Sequence, residues 1–263
     1  MSAGVSCLCL TYGRPALLEE SIECFKRQSW RGPKELIIVN DHPDQELSCA
    51  DEEIVIVNLR RRLRTLGEKR NLSVALAKYD LLLIWDDDDI YLPWRIEETM
   101  KYLPARQFFK SAAAWLFSDG RLRDEPVIEN IEPLPTLDFS GGPRFRVTGP
   151  IDPREDPNLF LFHGGAAYTR SLYQEVRGYS CVNCGEDLDF ENRLKLHPKL
   201  SAQFESTRLP RNRIYYVYRW RHGHYHASEV GAYEENRPPI TQRFHELRPH
   251  WKMDYCAEVA SRL

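Results

Sequence analysis

The sequence predicts an α/β fold: an open, mostly parallel Rossmann-like sheet flanked by helices, followed by a mixed second half. Two observations predict it. Apolar runs alternate with segments of helical periodicity over the first ~100 residues. The runs are also near-continuous rather than alternating with polar residues, as in parallel strands covered on both faces. A chain of 263 residues with 42% hydrophobic content can build one large core, or two tightly joined halves.

The elements follow in order. "GVSCLCLT" (4–11) reads as a short buried strand. "RPALLEESIECFKRQSW" places Leu17, Leu18, Ile22 and Phe25 at helical spacing. "KELIIVND" is a second apolar strand that ends in a carboxylate, and "EEIVIVNL" is a third. "GEKRNLSVALAKY" reads as a helix with Leu72, Ala75, Leu76 and Tyr79 on one face. "DLLLIWDDDD" is the fourth strand, and "PWRIEETMKYL" opens a helix with Pro93 near its first turn, where a missing N–H costs little. Residues 119–157 are rich in Pro, Gly and charge, which predicts loop, short antiparallel pieces or a flap. After them "NLFLFHGGAAYTR" reads as strand, "RSLYQEVRGY" and "GEDLDFENRLKLH" as helices, and "RIYYVYRW" as strand. The expected division is a first half of 1–118 and a second of 119–263 within one continuous domain.

In open α/β sheets ligands sit outside the carboxyl ends of the strands. Those ends carry Thr11, Tyr12, Asp41 and the run Asp86 to Asp89. Like charges ~4 Å apart repel by about 1 kcal/mol in water and several times that near a protein surface. Four adjacent carboxylates therefore call for a cation, or else form a solvated acidic turn that caps the following helix. Oxygen-only ligands favour Mg²⁺ or Mn²⁺, which commonly bind through one or two carboxylates plus substrate phosphates. Lys69, Arg70 and the "RRRLR" run at Arg60 to Arg64 could add positive charge, although that run also fits an ordinary solvated face.

Other classes lose their signatures. Net charge is −3, so there is no global basic field of the nucleic-acid-binding kind. No apolar run approaches the ~20 residues that span a bilayer, and the N-terminus lacks the features of a signal peptide. Seven scattered cysteines suggest reduced thiols and a cytoplasmic home. Neither a dinucleotide fingerprint nor a Walker A loop occurs.

Taken together, the motifs resemble family 2 glycosyltransferases with the GT-A fold. "VSCLCLTYGRPALLEESIECFKRQSW" is similar to the family's opening, "ELIIVNDH" to its second-strand end, and "GEKRNLSVALAKYDLLLIWDDDDIYLP" to its Arg-Asn helix and Asp-x-Asp region. "GGAAYTRSLYQEVRGY" and "GEDLDFENRL" resemble its downstream Glu-Asp segment. Asn40 stands where the family has the first of two aspartates, and Gly13 replaces an Asn in the first turn. The Gln-x-x-Arg-Trp motif of processive members is absent, which implies one transfer per encounter.

The resemblance implies a metal-dependent, inverting transferase that moves a sugar from a nucleoside diphosphate sugar, by default UDP-linked, to a hydroxyl acceptor. Thr11, Tyr12, Arg14, Asp41, Arg70 and Asp87 would bind the donor nucleotide, with Asp41 reading the base. Asp88 and then Asp86 would hold Mn²⁺ or Mg²⁺, and Asp187 would be the general base. GT-A enzymes often add a late His to the metal site, a place that His226 resembles best and His224 next. A surface cluster of imidazoles is the alternative for "RHGHYH". His163 could border the acceptor pocket or simply pack in the core. Cys181 and Cys184 read as ordinary thiols in a tight turn rather than a zinc or redox pair. The acceptor is expected to be a saccharide or lipid-linked molecule rather than hydroxylated nucleic acid, with peripheral membrane contact compatible. Two other classes share some features: a sugar-phosphate nucleotidyltransferase, which usually has a Gly-rich basic N-terminal loop, and a non-catalytic nucleotide- or carbohydrate-binding module.

Overall fold

The structure is a computed structural model. It describes residues 3–118, 120–128, 162–183, 185–197, 199, 206–219, 240 and 242–263. Strand β1 (Val5–Thr11) is buried throughout and leads into α1 (Pro15–Lys26), whose first position is proline. There follow β2 (Lys34–Asn40), β3 (Glu46–Ser48) and β4 (Ile54–Asn58), then α2 (Leu66–Leu76). The chain continues through β5 (Leu81–Ile84), β6 (Ile90–Tyr91), α3 (Arg95–Arg106), β7 (Phe108–Ser111) and β8 (Ala113–Ser118). Short strands β9 (Arg121–Leu122) and β10 (Val127–Ile128) come next. The last described elements are β11 (Ala167–Thr169), α4 (Arg170–Glu175), α5 (Glu186–Leu196), β12 (Ser206–Thr207), β13 (Tyr216–Arg219), β14 (Phe244–Glu246) and α6 (Tyr255–Ala260).

Among the described residues the main sheet has seven strands in the order β12-β7-β11-β5-β1-β2-β4. Its β5-β1-β2-β4 section is parallel throughout, as the apolar runs predict. Strand β11 is antiparallel to both β5 and β7, which makes the sheet mixed. A five-stranded sheet joins β6, β13, β8, β10 and β9, and β13 pairs antiparallel with β6. That pairing ties the segment after the aspartate run to the second half of the chain.

Two apolar layers cover the faces of the main sheet. One holds Leu18, Ile22 and Phe25 of α1 with Trp85, Trp115 and Tyr215. The other holds Val74 of α2 with Tyr168, Phe190 and Leu194. Each such side chain, fully buried, contributes on the order of 1.5–3 kcal/mol. Among the described residues, no helix is long and apolar enough to cross a membrane.

Three expectations change. The buried face of α2 carries Gly67, Lys69, Arg70, Ser73 and Val74, and Ala75 and Leu76 face outward. The helix ends at Leu76, so Tyr79 is not part of it. It turns its charged side inward because Lys69 and Arg70 find buried carboxylates there. Strand β4 is an edge strand with Val55 42% exposed, not a strand covered on both faces. "HGG" forms a 3₁₀ turn over His163–Gly165, so only Ala167–Thr169 of the expected strand pairs.

Candidate active site

The carboxyl ends of the strands meet as expected, and a cavity of about 160 Å³ opens there. Its lining includes Arg14, Arg70, all of Asp86 to Asp89, His163, Gly164, Glu186 and Asp187. Thr11, Tyr12 and Asp41 lie at the ends of β1 and β2, outside this lining.

The aspartate run is held rigidly from several sides. The Asp86 N–H donates to the Tyr91 hydroxyl at 2.8 Å, and Ser21 Oγ donates to the Asp86 carbonyl at 3.1 Å. Arg14 sits just before α1, where its side chain reaches across to Asp87 (2.5 Å) and Asp88 (2.9 Å) instead of capping the helix. Burial opposes the charge on Arg14, but the aspartates more than compensate and hold its pKa above the ordinary value. Asp89 accepts from the Tyr216 hydroxyl (2.5 Å) and from the Arg219 N–H (2.9 Å), so it fastens the run to β13.

The four acids thus divide by environment. Asp87 and Asp89 are buried, with burial pushing Asp87 up to about 6 against the pull of Arg14. Asp89 is raised further, by burial and by the neighbouring Asp88 and Asp86. Asp86 and Asp88 keep 26% and 15% of their side chains exposed. Burial raises Asp86 as well, and Asp88 adds to it while Arg70 at 3.8 Å opposes. Two partly exposed carboxylates that repel one another across a polar cavity fit a hard divalent cation that takes its other oxygens from water or a diphosphate. Among the described residues no group of three or more His, Cys, Asp or Glu could hold a metal by itself. His224, His226 and Cys184 lie outside the described residues. Cys181 is an exposed free thiol.

Helix α5 brings in the second group of acids. It starts after Gly185, whose φ of 74° is natural for glycine, and presents Glu186 and Asp187 in its first turn. Glu186 is buried and accepts from Arg70 Nε at 2.8 Å. Asp187 is only partly buried and lines the cavity. Asp189 instead holds Ser180 (2.6 Å) and Arg193 (2.7 Å). Glu191 lies fully buried, with Lys110 Nζ at 2.6 Å and His163 Nδ1 at 2.8 Å. Burial alone would raise its carboxyl, but Lys110 and His163 overcome this and hold it at about 2. His163 both borders the cavity and packs in the core, since its Nε2 meets the Tyr179 hydroxyl at 2.9 Å.

The donor-side residues have their own pairings. Asp41 is buried and accepts from Lys69 Nζ at 2.5 Å and from the Leu63 N–H at 3.1 Å. Lys69 also donates to the Thr11 carbonyl at 2.6 Å. Lys69 therefore neutralises Asp41 at the strand ends rather than facing the cavity. The Tyr12 ring lies 4.6 Å from the His42 ring and 4.2 Å from the Arg62 guanidinium.

Sequence reasoning missed Glu186, Gly164 and Arg95 as parts of the site. A Cβ at Gly164 would lie 2.6 Å from Asp86 Oδ2 and 2.5 Å from the Tyr216 hydroxyl, so only glycine fits there. Arg95, fully buried, donates to the carbonyls of Ile84 and Gly164 and clamps that turn to the end of β5. The glycine pair in "FHGG" is the one local signal for this close approach.

Comparison with known proteins follows the geometry. Residues 6–177 match the family model described as glycosyl transferase family 2. The chain is 31% identical over 182 residues to a Bacillus subtilis protein named uncharacterized glycosyltransferase YwdF, covering 66% of this chain and 61% of that one. It is 31% identical over 122 residues to the Methanocaldococcus jannaschii protein named uncharacterized glycosyltransferase MJ1057, covering 43% of this chain and 41% of that one. The chain thus matches less than two thirds of the length of either relative. Among solved structures it resembles S. aureus TarS 1–349 in complex with UDP-GlcNAc, with a TM-score of 0.53 and 15% identity over 86% of this chain and 61% of that chain. The same protein without that ligand gives 0.51 at 13% identity over 81% of this chain and 60% of that chain. These two likenesses are of fold.

Proposed function

The chain belongs to glycosyl transferase family 2, and from that membership we propose that it transfers a sugar from a nucleoside diphosphate sugar to an acceptor hydroxyl, with inversion at the anomeric carbon. One observation carries the reading. A single cleft at the strand ends of a GT-A-type α/β fold gathers Asp86 and Asp88 from the end of β5, Asp187 from the start of α5, and the guanidinium groups of Arg14 and Arg70.

In this reading Asp187 takes the proton of the acceptor hydroxyl as its oxygen attacks. Its partial exposure in the cleft leaves it open to an acceptor, while Glu186 beside it is occupied by Arg70. Arg70 holds α5 through Glu186 and stands 3.8 Å from Asp86, so it fixes the base helix relative to the acidic run. Asp88 and Asp86 would hold Mn²⁺ or Mg²⁺. When bound, the ion would neutralise charge growing on the departing diphosphate. Arg14 sets the register of the run through Asp87 and Asp88. Thr11, Tyr12 and Asp41 would surround the nucleoside, with the remaining lone pairs of the Asp41 carboxylate facing the base. A uridine diphosphate sugar is the first donor to test. The acceptor would be a saccharide or lipid-linked hydroxyl, shaped by residues 119–263.

The test is product analysis on a panel of nucleotide sugars with Mn²⁺. Release of free nucleoside diphosphate is expected. Release of pyrophosphate from a sugar phosphate and a nucleoside triphosphate would instead place the chain among nucleotidyltransferases. Binding without turnover on a broad set of saccharide acceptors would reduce it to a binding module.

A further inference from the structure

A second cavity, of about 200 Å³, shares no lining residue with the first. It lies at the free edge of the main sheet, where β4 ends at Asn58 and the turn after β2 leads into β3. Its frame is saturated. Asn58 Oδ1 accepts from Asn40 Nδ2 and from the Leu47 N–H, both at 3.0 Å, and Asn58 Nδ2 donates to the Leu47 carbonyl at 2.9 Å. The Glu46 N–H donates to the Arg243 carbonyl at 2.7 Å, which joins β3 to the approach to β14.

The wall of this cavity is not saturated. Arg60 and Arg243 both line it, and among the described residues neither guanidinium has a hydrogen-bond or carboxylate partner. Gln45 also lines it, is only 5% exposed, and its carboxamide Oε1 has no hydrogen-bond partner. An unpartnered buried amide oxygen costs on the order of 1–3 kcal/mol unless a donor reaches it. The Glu46 side chain adds an acceptor for hydroxyl groups, and Leu59 an apolar surface.

We propose that this edge cavity is a binding site for an anionic saccharide, with Arg60 and Arg243 gripping a phosphate or carboxylate and Gln45 and Glu46 reading ring hydroxyls. Two guanidinium forks match planar or tetrahedral anions. The Gln45 oxygen needs a donor, which a bare anion lacks and a sugar hydroxyl supplies. The volume is on the scale of a single sugar ring. Binding here does not depend on catalysis in the first cleft.

Protein-observed NMR titration of the full chain tests the site, with glucose 6-phosphate, glucuronate, glucose and inorganic phosphate as probes. Both or either of the anionic sugars should perturb the Asn58 and Leu59 amides and bind at least tenfold more tightly than glucose or inorganic phosphate. The tighter of the two names the anion. Arg60→Ala/Arg243→Ala, two exposed positions, should weaken that binding at least tenfold and leave nucleoside diphosphate binding at the first cleft unchanged. Gln45→Leu should weaken the sugar phosphate more than inorganic phosphate. Equal binding of glucose, an unaffected double variant, absence of binding by either anionic sugar, or displacement of the sugar by nucleoside diphosphate would each overturn the proposal.

Discussion

Arg70 Nε donates to Glu186 Oε1 across 2.8 Å, and both side chains are buried. The pair links α2, which follows the β4 edge, to α5, which carries Asp187. Two residues 116 apart in sequence therefore set where the proposed base stands relative to the acidic run.

Asp187→Asn keeps the shape of the first turn of α5 and removes its proton-accepting charge. Turnover should fall by ~100-fold or more, in line with general-base contributions, while donor affinity stays nearly constant. Steady-state kinetics with donor binding measured separately check this. A near-normal kcat would remove Asp187 from the base role.

Lys69→Met strands Asp41 in the interior. Removing one partner of a buried ion pair costs about 3–5 kcal/mol. Denaturant unfolding of the variant should show a loss of that order. The double variant Lys69→Met/Asp41→Asn should recover part of it, because no unpaired charge then remains.

Gly164→Ala places a methyl group within 2.6 Å of Asp86 Oδ2. The carboxylate or the Tyr216 hydroxyl must move. Donor affinity should weaken about tenfold, or ~1.4 kcal/mol by the usual conversion, with far-UV circular dichroism unchanged. Calorimetric titration of the donor reads it out.

The buried Lys110–Glu191–His163 cluster sets a pH window. Lys110 and His163 depress the Glu191 pKa from 4.5 to about 2 in the folded state. A depressed carboxyl gives stability that is fully present above its unfolded pKa and is lost as pH falls through its folded pKa. The contribution, ~3 kcal/mol, should therefore vanish between about pH 4.5 and 2. The stability difference between wild type and Glu191→Gln, followed by urea unfolding, should shrink across that window and stay flat above it.

The parallel part of the sheet was legible because "CLCL", "LIIV" and "LLLI" are apolar without alternation, which only two covered faces explain. The position of the acidic run was legible for the same reason: it follows such a strand directly. The face of α2 was not legible. Leu72, Ala75 and Leu76 have helical spacing, but the buried side belongs to Lys69 and Arg70, whose partners Asp41 and Glu186 lie 28 and 116 residues away. Asp89 reads locally like its three neighbours, and only its bonds to Tyr216 and Arg219 show that it anchors a sheet. Glu191 likewise shares a helix face with Asp187 on paper, yet Lys110 and His163 draw it into the core. Charges paired over long separations leave no periodic trace in a sequence.

The central claim is that Asp86 and Asp88 hold a divalent ion that in turn holds the diphosphate of the donor. Thermal denaturation with UDP-sugars, in Mn²⁺ and in EDTA, tests it on wild type and Asp88→Ala. The donor should stabilise wild type in Mn²⁺, by ~2.7 kcal/mol at a hundredfold excess over Kd, and should do so neither in EDTA nor in the variant. Equal stabilisation of wild type in EDTA, or of Asp88→Ala in Mn²⁺, would contradict it.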